Sequence, residues 1–330
     1  MPFRAEAKVF GSSSKIMHPL IIGSLPELNN IGGIVIFVSR LLASSEYLNS
    51  NEYVFFSTKS RNPLLLIPFI YRSSFVHFNG CNPLAMVFIA LMCFLFRKKL
   101  ILSIHGQVGV SSRLLNIIEK YSIKLAYKPV VGIGSIKKAS TFNKDSIVIS
   151  SFIAPTFNID SVVDEVISKI SQKKIFCTNA NSFAFDNNGN EIYGISYLIN
   201  YFSKQEDSTL IVVDASGDYQ EHYKDKQPPN VIFINEDIDF SYLLKKSDCF
   251  IRFTSTDGDS ISIMESLFFN IPVIATDCII RNDACILCKY ANSKSLELAV
   301  DRFNKGDFRL LAEIESAEKY YDNLYKELSI

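Results

Sequence analysis

Strand-like apolar runs alternate with helix-length segments from Leu20 onward. That alternation predicts an α/β chain whose mostly parallel sheets are covered by helices on both faces. Strands are expected near Pro19–Gly23, Tyr53–Ser57, Phe75–Phe78, Leu100–Ile104, Val130–Gly132 and Ile147–Ile149. A second set follows near Ile175–Thr178, Leu210–Val213, Val231–Ile234, Cys249–Arg252, Pro272–Ala275 and Ile286–Cys288. Helices are expected at Ile34–Ala43, Tyr193–Phe202, Phe240–Lys245 and Ser260–Phe269, with a long closing helix over Phe308–Leu328. A length of 330 residues suits two domains. They are placed at 17–160 and 161–310, after a mobile leader 1–16 and before a closing segment 311–330.

Residues 248–277 hold the most informative chemistry. A strand ending at Arg252, the polar loop Gly258-Asp259-Ser260, an apolar helix and a strand from Pro272 form a βαβ unit, whose ligand crevice lies at the carboxyl ends of its strands. Asp257 stands in the loop and Glu265 about two turns into the helix, so at about 1.5 Å rise per residue they can grip points about 8 to 12 Å apart. Between them lie the first-turn amides around Ser260, Ile261, Ser262 and Ile263, which suit a phosphate. The competing reading is that Asp257 and Asp259 cap the helix and Glu265 is a surface charge. Spacing alone does not separate the two.

The pattern Arg252-Phe-Thr-x-x-Asp257-Gly-Asp-Ser-x-Ser, followed by Glu265-Ser-Leu and Pro272-Val-Ile-Ala-x-Asp277, resembles the C-terminal signature of retaining glycosyltransferases of family four, and within it a branch for bacterial surface-polysaccharide assembly. Asp257 stands where the family's first Glu would. The resemblance implies the GT-B fold: two Rossmann-like domains facing across a cleft, the first for the acceptor and the second for a nucleotide-sugar donor, with the chain end returning to the first. It implies that Asp257 holds the donor sugar and Glu265 the ribose, with Gly258, Asp259, Ser260, Ile261 and Ser262 around the donor. Gly32 and Gly33, which open the first helix, would face the diphosphate, and His105, which ends a strand, would lie near the sugar. The lysine that members carry before a glycine is Tyr193 here, ahead of Gly194. Arg252 and Arg281 are therefore assigned to the departing diphosphate, the alternative for each being a salt bridge to a neighbouring Asp.

The implied activity is hexosyl transfer with retention, from a nucleotide sugar to a hydroxyl of a polyprenyl-diphosphate-linked glycan such as O-antigen, capsule or lipopolysaccharide; a UDP-sugar is preferred to a GDP-sugar only because UDP is the more frequent donor nucleotide. No cofactor and no metal are implied. A non-catalytic nucleotide-sugar-binding protein and a nucleotide-sugar epimerase or hydrolase remain as alternatives. A nicotinamide-dependent dehydrogenase is set aside because the dinucleotide fingerprint is absent after the first strand.

Charge adds one feature. The net charge is zero, yet residues 1–160 carry 17 basic and 7 acidic side chains and the remainder 17 and 27, so the halves are electrostatic opposites. A basic half suits anionic lipid headgroups at the inner face of the cytoplasmic membrane; attraction between the halves explains it equally well. Dispersed basic residues without a recognised motif speak against nucleic acid. The longest apolar run, Leu84–Phe96, is too short to span a bilayer and is read as a buried helix in preference to an interfacial one. The seven cysteines lie in apolar contexts and suggest a reduced, cytoplasmic chain. Cys278, Cys285 and Cys288 are read as small apolar fillers, because no second pair or His completes a metal set. His77, inside an apolar strand, is read as a core histidine, and Gly132 to Lys137 as a strand-to-helix turn.

Overall fold

The computed structural model describes residues 17–26, 32–58, 62–156, 158–171, 174–310 and 314–329. The expected leader 1–16, together with Asn29, Asn30 and Ile31 ahead of the glycine pair, lies outside the described residues. Two compact units result. One contains Gly33–Ile153, the first strand and the chain from Ser316 onward; the other contains Ala154–Glu315 and, just ahead of the first helix, Gly32.

Among its described residues the first unit holds β1 (Leu20–Gly23), β2 (Val54–Ser57), β3 (Phe75–Gly80), β4 (Lys99–Ile104), β5 (Lys128–Val131) and β6 (Ile147–Val148), all parallel, in the order β2-β1-β3-β4-β5-β6. The order reverses between β1 and β3, which makes their carboxyl ends a topological switch point. The helix Pro83–Leu95 starts where Asn82 Oδ1 accepts the amides of Leu84 and Ala85 and Pro83 fills the first turn. Met86, Ile89, Ala90 and Cys93 bury its inner side against the sheet.

Two expectations are corrected here. The helix Pro83–Leu95 is only half buried, since Leu84, Leu91, Phe94 and Leu95 point outward. One face satisfies the sheet, and nothing among the described residues covers the other. The closing helix runs over Glu318–Leu328 rather than from Phe308, with 308–310 and 314–316 outside any helix. It begins where the Ala317 amide bonds to the Phe152 carbonyl and the Ser316 hydroxyl meets the Glu318 carboxylate. Residues 311–313 lie outside the described residues. The helix buries Tyr321 and Tyr325 against the first sheet, where Tyr325 Oη lies 2.6 Å from His77 Nδ1 and Tyr321 Oη 3.0 Å from Ser103 Oγ.

The second unit holds β7 (Lys174–Ala180), β8 (Ser208–Asp214), β9 (Val231–Ile234), β10 (Cys249–Arg252), β11 (Val273–Thr276) and β12 (Ile286–Cys288). Their order β12-β11-β10-β7-β8-β9, again parallel, is that of a doubly wound dinucleotide-type sheet, with its switch point between β7 and β10. Phe176, Leu210, Cys249 and Ile251 fill one side of this sheet and Cys177, Ile211, Phe250 and Val273 the other. Cys285 and Cys288 are buried as apolar fillers, and burial pushes the Cys288 thiol up to about 12. Among the described residues no group of three His, Cys, Asp or Glu side chains is arranged to hold a metal ion.

Candidate functional site

The site is built on the switch point of the second unit. Asn179, the last residue but one of β7, lies beside the end of β10, and a parallel βαβ connection carries the chain from Arg252 through the loop 253–260, the helix Ile261–Phe268 and β11. Arg252, the last residue of its strand, lays its guanidinium carbon 5.3 Å from the centre of the Tyr193 ring and donates from Nη1 to Asn179 Oδ1 at 3.3 Å. A cation over an aromatic face, fixed from two sides, has little freedom left.

Asp257 sits between both arginines. Its Oδ1 accepts from Arg252 Nη2 at 2.9 Å and from the Gly258 amide at 3.1 Å, and its Oδ2 from Arg252 Nε at 3.0 Å and Arg281 Nη1 at 2.9 Å. A carboxylate offers about four lone-pair sites, and here all are taken. Burial alone would raise its pKa, but the adjoining Arg252 charge and hydrogen bonds, then those of Arg281, hold it below the usual carboxylate range. Burial likewise disfavours the Arg252 cation, and the Asp257 charge outweighs it to raise the Arg252 pKa.

Arg281 is the inner member of the clasp. Its side chain is 3% exposed, against 13% for Arg252. Besides Asp257 it reaches the Thr276 carbonyl from Nε at 3.0 Å, Thr254 Oγ1 from Nη2 at 3.4 Å and Cys278 Sγ at 3.5 Å. Both guanidiniums bond from all three nitrogens, so what separates them is position: Arg281 is enclosed and braces the loop, while Arg252 is the more exposed of the two. Two guanidiniums and one carboxylate leave the cluster with surplus positive charge.

The helix beside it adds amides. Ser260 is the N-cap residue but makes no side-chain cap bond, so the first-turn amides of Ile261, Ser262 and Ile263 are not satisfied by their own cap. Asp257 therefore does not cap this helix; its bonds run to the two arginines. Ser262 Oγ takes a 3.1 Å hydrogen bond from Asn179 Nδ2, which ties the helix mouth back to β7. Glu265 is 3% exposed, a buried carboxylate rather than a surface charge.

Asn179 and Tyr193 are the residues that sequence reasoning missed. The signal for Asn179 was a polar side chain closing the apolar strand Ile-Phe-Cys-Thr at the switch point; for Tyr193 it was the following glycine. Gly194 has φ +57°, and a Cβ there would stand 2.4 Å from the Phe253 carbonyl oxygen, so the backbone under the Tyr193–Arg252 stack requires glycine.

The first unit places His105 at the end of β4. Nδ1 lies 3.0 Å from Ser151 Oγ, Nε2 3.4 Å from Asn79 Oδ1, and Phe37 packs against the ring. Burial lowers its pKa to about 4, and that of fully buried His77 to about 3 with a small contribution from His105, so both rings are neutral near pH 7. His77 is a satisfied core histidine, bonded at both nitrogens. Gly33 opens the helix Gly33–Ser44, and a Cβ on Gly32 would meet nothing within 4 Å. The segment Ile133–Ser135 is a turn of 3-10 helix whose Ser135 Oγ accepts the Val108 amide, bracing the loop after His105.

No family model and no curated protein sequence matches the chain. Solved structures do. HepE from Anabaena, in complex with UDP-glucose, is 12% identical and superposes with a TM-score of 0.67, over 94% of this chain and 97% of that one. Sucrose-phosphate synthase from Thermosynechococcus elongatus is 12% identical, with a TM-score of 0.61 over 94% and 96%. WaaG, a glycosyltransferase involved in lipopolysaccharide biosynthesis, is 10% identical, with a TM-score of 0.62 over 93% and 99%.

Proposed function

Starting from the GT-B fold that these likenesses show, we propose that the chain is a glycosyltransferase. It moves a hexose with retention from a nucleotide sugar, UDP-linked in preference to GDP-linked, to a hydroxyl of a polyprenyl-diphosphate-linked bacterial glycan such as an O-antigen or capsule precursor. The observation that carries this reading is the Arg252–Asp257–Arg281 clasp beside an uncapped helix mouth at the switch point. HepE, with UDP-glucose bound, supports the donor class, and WaaG, a glycosyltransferase involved in lipopolysaccharide biosynthesis, supports a setting in bacterial surface-glycan assembly.

In this reading the donor's anomeric carbon loses its bond to the diphosphate oxygen and gains one to the acceptor oxygen on the same face. The phosphate oxygen takes the acceptor's proton. Arg252 and the amides of Ile261–Ile263 stabilise the charge that develops on the leaving diphosphate, where fixed donors act most strongly. Asp257 serves by aiming Arg252, and Arg281 by holding Asp257. Gly258, Asp259, Ser260 and Ser262 form the mouth, and Glu265 supports the ribose end. His105, neutral, offers hydrogen bonding near the sugar, since its 3.4 Å bond to Asn79 is weak enough to be exchanged for a hydroxyl.

Turnover with a panel of nucleotide sugars and a polyprenyl-linked acceptor tests the reading. Arg252→Ala should lower kcat by about 10²–10³, as the loss of one charge-stabilising donor does. Thermal shifts with UDP and GDP identify the base, because a ligand at about a hundred times its Kd adds about 2.7 kcal/mol. Parent-like turnover by Arg252→Ala would overturn the assignment. The enclosure of Arg281, whose side chain is 3% exposed, favours one second reading, donor binding without turnover, which the same pair of measurements separates.

A further inference from the structure

The first unit carries a surface that its core does not need. The helices Leu66–Arg72, Pro83–Leu95 and Arg113–Leu125 pack side by side, the middle one touching both others, and the Tyr71 ring meets Phe96 at 5.5 Å to close the row. Leu84, Leu91, Phe94 and Leu95 recur on the outer side of the middle helix, with Phe94 63% exposed. On the next helix Leu114, Ile117 and Tyr121 form an outward stripe at helical spacing, with Leu114 66% exposed. Soluble surfaces rarely gather large apolar side chains in this way without a partner.

Charge identifies the partner. From Tyr53 to Lys144 the chain has 13 lysines and arginines and one acidic residue, Glu119, and that one is buried and accepts the Gly109 amide at 2.6 Å. Arg113, Lys120 and Lys124 border the Leu114–Tyr121 stripe, and Arg97 and Lys99 follow Leu95, all exposed. Apolar side chains flanked by basic ones, with no exposed carboxylate in the described part of this stretch, match the boundary between acyl chains and anionic headgroups, where long basic stems keep their charges in water. The core of a protein–protein interface is instead depleted of lysine. No helix among the described residues is long and apolar enough to cross a membrane. We infer that this three-helix face docks the protein on the surface of an anionic phospholipid bilayer, its leucines and aromatic rings seated at the acyl boundary and its arginines and lysines on the headgroup phosphates.

The inference does not rest on the proposed activity, and its test reads membrane binding alone. The full chain is floated with vesicles of phosphatidylcholine and with vesicles containing one third phosphatidylglycerol, at low and high salt. Binding is expected only to the anionic vesicles, and to fall steeply as salt shortens the screening length. The variant Arg113→Glu, Lys120→Glu, Lys124→Glu should weaken partitioning by at least about fivefold for each basic residue removed. Leu91→Ser, Phe94→Ser, Leu95→Ser should abolish it at low salt with no change in Tm, because those side chains are exposed. Should the serine variant fail to fold, the charge variant on the neighbouring helix decides alone. Equal binding to neutral vesicles, no binding to either, or parent-like binding by the charge variant overturns the inference. So does a concentration-dependent dimer, seen by sedimentation without lipid and abolished by the same substitutions, since a second copy would then own the face.

Discussion

Beneath the carboxyl edge of the first sheet the polar groups are neutral: His77 bonds to Tyr325 and Ser103, and His105 to Ser151 and Asn79. At the equivalent edge of the second sheet they are ionised: Arg252, Asp257 and Arg281. Both solutions satisfy the same constraint, that a buried polar group must find a partner. They differ in what is left over. Hydroxyls and imidazoles cancel one another and leave no charge, whereas two guanidiniums around one carboxylate leave a surplus cation beside helix amides. An anionic ligand therefore has a physical reason to choose the second unit, and the first is better suited to neutral hydroxyls.

The sharpest way to break the comparison is to remove the shared carboxylate. Asp257→Ala strands two buried guanidiniums and should cost about 3–5 kcal/mol, as the loss of one member of a buried ion pair does. Denaturant unfolding measures the loss, and hydrogen exchange should confine it to the second unit. A cost below about 1 kcal/mol would mean that the clasp is no more than a surface pair.

Acid should separate the units in the opposite sense. His77 and His105 have folded pKa values of about 3 and about 4, below the unfolded value of about 6.5. A depressed pKa contributes stability that is full above the unfolded value and is lost as pH falls toward the folded one. The first unit should thus weaken from about pH 6.5 downward, by roughly 1 kcal/mol per pH unit for each histidine. Asp257, also depressed, should hold the second unit until pH falls below the ordinary carboxylate range. Exchange rates compared unit by unit between pH 7 and 5 check this; coincident weakening would show that the histidines do not govern the first unit.

The same contrast marks how far the sequence could be read. Every expected strand is present, and β9, β10 and β12 match to the residue, because strands of a parallel sheet packed under helices appear as short apolar runs even at the sheet's edges. The helix Ile261–Phe268 was legible for a related reason, with its apolar face and the break before Pro272. The clasp was not. Arg281 meets Asp257 from 24 positions along the chain and Asn179 meets Arg252 from 73, and no local periodicity carries such pairings. The half-exposed helix Pro83–Leu95 escaped because its hydrophobicity is nearly uniform around its axis, so the pattern did not say which side faces the sheet.

Gly194 sharpens the comparison inside the second unit. Gly194→Ala puts a Cβ at φ +57° and 2.4 Å from the Phe253 carbonyl. The backbone conformation alone should cost about 1–2 kcal/mol. If the Tyr193–Arg252 stack positions Arg252, UDP affinity should fall with it, read by thermal shift. Lost stability with unchanged affinity would detach the stack from ligand binding.

Gly32→Ala makes the smallest change, at the residue just ahead of the helix Gly33–Ser44. Its added methyl meets nothing within 4 Å, so stability should move by less than about 0.5 kcal/mol. What can move is affinity. If the backbone at Gly32 is kept bare for close approach by a diphosphate, the methyl will keep the phosphate away and weaken UDP binding by about tenfold, equivalent to 1.4 kcal/mol. Isothermal titration with UDP measures it in a protein whose fold is unperturbed, so a loss could not be blamed on unfolding. Unchanged affinity would remove Gly32 from the donor site and leave anion recognition wholly to the ionised edge of the second sheet.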